Sequence, residues 1–256
     1  MSALKKGFYG FRSILFAIGQ VVSVILFSVV GQLLRPFSNR ARYQFIHYWA
    51  RFCIWWLKVT CGVSYRLHGR EHLDFSKTGL VLARHESTWE TLAFQEIFPR
   101  QTFVLKKELL RIPFFGWGLA LLDPISIDRN AGRQAIKQVV SDGVARLHND
   151  VWVVIFPEGT RMTSGQPGKI KPGGALLAQK ADAPVYLVAH NAGRFWPKNS
   201  FVKYPGIVDI HISPPLETAD LTVAEINQKI EEWFLAHSDI QHDNSTDKKS
   251  DKSEVR

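Results

Sequence analysis

The sequence predicts an α/β domain preceded by a membrane-associated two-helix segment, and three observations lead there. Residues 13–34, SILFAIGQVVSVILFSVVGQLL, run for 22 positions without a charge, long enough to cross a bilayer as a helix. Residues 43–60, YQFIHYWARFCIWWLKVT, form a second apolar and aromatic segment, broken only by Arg51 and Lys58. After Gly62 the pattern changes to short β-branched runs alternating with helical stretches, the alternation expected of an α/β domain.

The first segment is too long for a signal peptide and does not end at a small-residue cleavage site. A basic turn with Arg35-Pro36 separates it from the second, which has the character of an interfacial helix. Basic residues flank the first segment on both sides, so the positive-inside comparison gives no orientation. A hairpin embedded in one leaflet, a true span and a buried hairpin all remain open. Strands are expected over 63–67, 79–83, 102–105, 125–128, 151–156, 185–189 and 208–212. Helices are expected over 133–147, 174–181 and 223–236, the last opened by Thr222 and Glu225 at capping-box spacing. The chain thus divides into an N-terminal helical segment (1–61), an α/β domain (62–237) and a polar tail (238–256) with almost nothing to bury, expected to be disordered.

Of 256 residues, 46% are apolar, ample for a core, and the formal charge is +9. That charge is concentrated. Residues 1–70 carry ten Lys and Arg and no Asp or Glu, interleaved with Trp, Phe and Tyr, while the remainder is close to neutral. Such a composition suits an anionic lipid surface. It argues against nucleic acid, whose binders expose their stacking rings. Cys53 and Cys61 have neither metal-ligand nor redox spacing and read as buried hydrophobes.

His85 directly follows an expected strand, within Arg84-His85-Glu86-Ser87-Thr88-Trp89-Glu90. A general base must be near-neutral at working pH and needs a partner to fix its tautomer, which makes Glu90 the candidate partner. On one regular helix, five positions would set the two side chains about 140° apart. The pair therefore requires His85 just before the helix and Glu90 in its second turn. Spacing alone carries little, since His242 and Asp247 repeat it in the polar tail. A surface or capping histidine remains the alternative.

A second constellation, Phe156-Pro157-Glu158-Gly159-Thr160-Arg161, closes the strand expected over 151–156. Open α/β sheets place ligands at that end. Gly159 permits close backbone approach, and Arg161 can grip a phosphate with two parallel hydrogen bonds. A third stretch, Lys106 to Trp117, sets Lys106 and Lys107 beside an apolar and aromatic surface, and Asp128-Arg129 closes another expected strand. By themselves these segments read equally as a solvated helix start and a surface ion pair.

Taken in order, His85-x4-acid, Lys106 to Trp117 with Ile127-Asp128-Arg129, Phe156 to Arg161 and Val185 to Gly193 resemble the four motif blocks of the glycerolipid acyltransferases. The resemblance covers about residues 60–215. It implies a mixed or parallel sheet with flanking helices. It implies that His85 and Glu90 catalyse acyl transfer to the sn-2 hydroxyl of lysophosphatidic acid, and that Lys106 and Arg161 bind the substrate phosphate. Glu158 and Gly159 would shape that pocket, with Lys107, Arg129 and Thr160 in support. The donor would be acyl-CoA or acyl carrier protein, with no metal and no cofactor. Membrane lipids would be the partners. The family usually has Asp where this chain has Glu90. Another lyso-phospholipid or glycerol 3-phosphate is the alternative acceptor, and a non-catalytic lipid-binding protein is the alternative class; a serine hydrolase is disfavoured because Ser87 lacks the Gly-x-Ser-x-Gly elbow. Cysteine usage, the lack of a cleavable leader and a thioester donor together place the expected site on the cytoplasmic face of a bacterial inner membrane.

Overall fold

A computed structural model describes residues 2–166 and 168–237. The polar tail expected beyond residue 237 lies outside them. The chain opens with α1 (Ala3–Gln32) and α2 (Asn39–Cys61). Helix α1 begins ten residues ahead of the uncharged run because Ser2 caps it, and Lys5, Lys6 and Arg12 interrupt the hydropathy without interrupting the helix. Ser38 caps α2 by accepting the Ala41 N–H at 3.3 Å. Gly62 closes α2 with φ 71°, a left-handed conformation that glycine adopts without strain.

The α/β part follows as β1 (Val63–His68), β2 (Leu80–Ala83), α3 (Trp89–Ile97), β3 (Gln101–Lys106), α4 (Phe115–Ala120), β4 (Ile125–Ile127), α5 (Arg133–His148) and β5 (Trp152–Ile155). It continues as α6 (Pro172–Lys180), β6 (Val185–His190), α7 (Ala192–Phe195), β7 (Gly206–Ile212) and α8 (Val223–Ala236). Each expected strand overlaps an observed one, with ends that differ by one or two residues. Helix α6 starts earlier than expected because Pro172 suits the first helical position, where its missing N–H costs nothing. The capping box between Thr222 and Glu225 is formed.

The seven strands order as β1-β7-β6-β2-β5-β3-β4, parallel throughout except between β6 and β7. Strand β2 lies in the middle and every residue of Leu80–Ala83 is buried, as a parallel strand covered on both faces requires. Alternation sends Val81 and Ala83 to one core with α2, α3 and Phe16 of α1, while Leu80 and Leu82 face a second core with α5, α6 and α8. The N-terminal helices are thus part of the fold: α2 sinks a stripe of Ile46, Ala50, Cys53, Leu57 and Cys61 against the sheet and α3. The carboxyl ends of β2, β3 and β5 meet at one edge, where the motif residues collect.

Candidate active site

His85 leaves the end of β2 and lies four residues ahead of α3, so its ring is free to turn back toward the helix. Its Nδ1 is 2.7 Å from Glu90 Oε1. The expected geometry needs one correction: Glu90 sits in the first turn of α3, not the second. The turn at residues 86–88 is tight enough to bring the pair together there, and the same Glu90 oxygen accepts the N–H groups of Glu86 (3.0 Å) and Ser87 (2.8 Å). Burial pushes the Glu90 carboxyl up, but His190, the His85 hydrogen bond and charge and the Ser87 amide outweigh it, and the group lies below its ordinary range. Glu90 therefore stays ionised, which fixes the proton of a neutral His85 on Nδ1 and leaves Nε2 as an acceptor. The imidazole stacks on Phe156 with ring centroids 4.3 Å apart.

Glu158 is buried and lines neither cavity at this edge. Its Oε2 accepts the His85 N–H at 2.9 Å and its Oε1 accepts the Gly168 N–H at 2.9 Å. Glu158, expected from the sequence to shape the phosphate pocket, is here a carboxylate that clamps two peptides. Gly159 has φ 70°, a left-handed conformation that favours glycine, and the Lys171 side chain passes over it with Nζ 2.6 Å from where a β-carbon would stand.

A cavity of about 410 Å³ opens beside His85. Its walls come from α1 (Val21, Val24), α3 (Leu92), β3 (Phe103) and α4 (Leu119), and Lys106 and Arg129 also line it. Arg161 stands next to this cavity and donates at 3.1 Å to Oγ1 of Thr88, one of the residues that line it. Lys106 lies 3.7 Å from Glu108, and Lys107 is held by Asp128, a contact that pulls the Asp128 carboxyl below its usual range. Thr160 is exposed and lines neither cavity.

Sequence reasoning did not find the frame around His85. Arg84 and Glu86 are fully buried and pair at 2.9 Å, and Glu86 also accepts the Gly193 N–H at 3.2 Å. His190 lies within hydrogen-bond distance of the Arg84 carbonyl, Nε2 to O 3.0 Å. Arg84 and Glu86 showed only as charges at a strand end, which read equally as surface, and His190 and Gly193 fall in the fourth motif block, where the sequence assigned them no role. The backbone N–H groups of residues 85, 86, 87 and 89, at the approach to the motif helix, are committed to the side chains of Glu158, Glu90 and Ser87.

Comparison with known proteins now decides the family. The model of the family described as Acyltransferase matches residues 64–191. The chain is 41% identical to the 1-acyl-sn-glycerol-3-phosphate acyltransferase of Pseudomonas aeruginosa, over 87% of this chain and 88% of that one. This chain belongs to the acyltransferase family. It is also 27% identical to the 1-acyl-sn-glycerol-3-phosphate acyltransferase of Saccharomyces cerevisiae, over 92% of this chain and 79% of that one. Among solved structures, the 1-acyl-sn-glycerophosphate (LPA) acyltransferase of Thermotoga maritima superposes with a TM-score of 0.73 at 22% identity, covering 88% of this chain and 92% of that chain. That likeness shows that the acyltransferase fold extends well beyond the matched residues 64–191.

Proposed function

We propose that the chain transfers a fatty acyl group from a thioester, acyl-CoA or acylated carrier protein, to the sn-2 hydroxyl of 1-acyl-sn-glycerol 3-phosphate, giving phosphatidic acid. The 41%-identical relative is named for this reaction. The observation that carries the reading is the His85–Glu90 pair, with His85 lining a largely apolar cavity of about 410 Å³. His85 Nε2 takes the hydroxyl proton as the oxygen attacks the thioester carbonyl, and Glu90 stabilises the resulting imidazolium. Collapse of the tetrahedral intermediate breaks the C–S bond, and the imidazolium returns the proton to the departing thiolate. Lys106 and Arg161 hold the acceptor phosphate, with Arg129 adding positive charge. Glu158 and Gly159 shape the site through the backbone.

Helix α1 is long and apolar enough to cross a membrane, and Phe8, Phe11, Ile18 and Val22 are exposed on it. In this reading the acceptor enters from the lipid side and the product returns there. The active site faces the cytoplasm of a bacterial inner membrane, where the thioester donor is made.

Transfer of labelled acyl groups to lysophosphatidic acid by the purified protein in detergent tests the reaction. Product from the parent should fall about 10²–10⁴-fold in His85→Ala, the range for a lost general base. Glu90→Asp should retain part of the rate, because the shorter acid reaches either the imidazole or the two amides but not all three. A parent that acylates glycerol 3-phosphate and leaves lysophosphatidic acid untouched would refute the acceptor.

A further inference from the structure

A second cavity, of about 260 Å³, lies on the other face of the sheet, between the ends of β4 and β5 and the helices α5 and α6. Ile136, Val139, Ile155 and Pro172 give it apolar walls. It shares Val104, Arg129 and Phe156 with the first cavity, and Phe156 is the ring on which His85 lies. The second cavity therefore opens about one side chain away from the imidazole. Lys171 stands at its edge over Gly159. Among the described residues neither Lys171 nor Arg129 has a carboxylate within ion-pair distance, so two cations there lack a neutralising partner.

The acyl-transfer reading, on which this inference rests, needs room in two directions from the reacting carbon. From the thioester carbonyl the acyl chain leaves in one direction and the sulfur, with its carrier, in another. The first cavity is walled by α1 and α4 and suits the chain. The second lies on the α5 and α6 side, away from the apolar face of α1. A water-soluble donor arrives on that side, whereas the tail of a lipid acceptor does not. The arm common to both donor types is linear, largely aliphatic with two amides, and ends in a phosphate. An apolar cleft with two unneutralised cations complements that chemistry. We propose that the second cavity seats the phosphopantetheine arm of the acyl donor, with Lys171 receiving its phosphate and Arg129, at the boundary, lending charge to both cavities.

The test uses the purified full chain, Lys171→Glu, which reverses an exposed charge, and Ile136→Trp, which fills the cleft. Lys171→Glu should raise KM about tenfold for acyl-CoA and for acylated carrier protein alike. It should leave KM for lysophosphatidic acid and for an acyl N-acetylcysteamine thioester, which lacks the phosphate, unchanged. Ile136→Trp should raise the donor KM similarly, with its melting temperature reporting that it folds. A rise in the acceptor KM instead, no change in any KM, or a rise confined to acyl-CoA would each overturn the assignment. The last would point to the nucleotide part of CoA rather than to the arm. Calorimetric titration of free phosphopantetheine into the parent and Lys171→Glu measures occupancy of the cleft without turnover. Binding weakened about tenfold supports the site, and no binding to the parent refutes it. Absence of transfer from every donor, with phosphopantetheine still bound, would count against the reaction and not against the site.

Discussion

Glu158 acts on the backbone that carries His85. With each oxygen accepting one N–H, at 2.9 Å from His85 and 2.9 Å from Gly168, the carboxylate joins the catalytic turn to the loop that follows the motif strand. Burial pushes its carboxyl up, and the Gly168 and His85 amides oppose that rise without cancelling it. Glu158→Gln preserves the shape but points an NH₂ at one of the two N–H groups. A buried donor left unsatisfied costs about 1–3 kcal/mol. We expect kcat to fall about tenfold with KM for lysophosphatidic acid nearly unchanged, measured alongside a lowered melting temperature. Unchanged kcat with a raised acceptor KM would instead place Glu158 in the phosphate pocket, as its motif alone suggests. The His85–Glu90 pair was legible because both members are side chains a short spacing apart, one of them off the helix. The Glu158–His85 bond was not, since its partner is a backbone N–H 73 residues away, and every residue except proline supplies such a group.

At the scale of elements, the helices show where hydropathy stops being informative. An uncharged run located α1 but missed its first ten residues, because charge opposes membrane burial and not helix formation. Nothing in the sequence showed how closely α1 and α2 approach: a β-carbon on Gly19 would lie 2.1 Å from Trp56 Nε1. Nor did it show that α1 and α4 wall the same cavity. Deleting residues 1–60 would therefore strip a core face and a cavity wall along with any membrane contact. Substitution of exposed residues separates these effects. Phe8, Phe11, Ile18 and Val22 are each more than half exposed, at 58%, 58%, 57% and 51%. Replacing all four by Ser removes about 1.5–3 kcal/mol of apolar transfer energy for each large side chain. The protein should shift from the membrane pellet to the supernatant by at least about 100-fold, while still folding and acylating a detergent-dispersed acceptor. Retention in the pellet after a high-salt wash would sink the claim that this face meets lipid.

For the whole molecule, the number and approximate place of the strands followed from runs of β-branched residues, whereas their order did not. Strand β1 pairs in parallel with β7, more than 140 residues later, with Val63 opposite Gly206, and no local pattern encodes such a partner. This pairing brings together histidines from three distant parts of the chain. His68 and His211 stack with centroids 4.4 Å apart, and His237, just past α8, lies 5.2 Å from His211. Asp209 contacts His68 at 3.1 Å. Burial pushes the His211 ring down to about 4, with His68 and His237 adding to the effect and Asp209 opposing it. A histidine depressed in the folded state binds fewer protons there than in the unfolded chain, where its pKa is about 6.5. Stability from this group is therefore complete above about pH 6.5 and is lost as pH falls from there toward 4. Because the ring is partly open to solvent, the loss is on the order of 1 kcal/mol after screening. His211→Gln, which never gains the charge, should weaken the acid dependence. Denaturant midpoints at pH 7 and pH 5 should differ less in the variant than in the parent, and equal differences would show that the histidine stack does not couple protonation to the closure of the sheet.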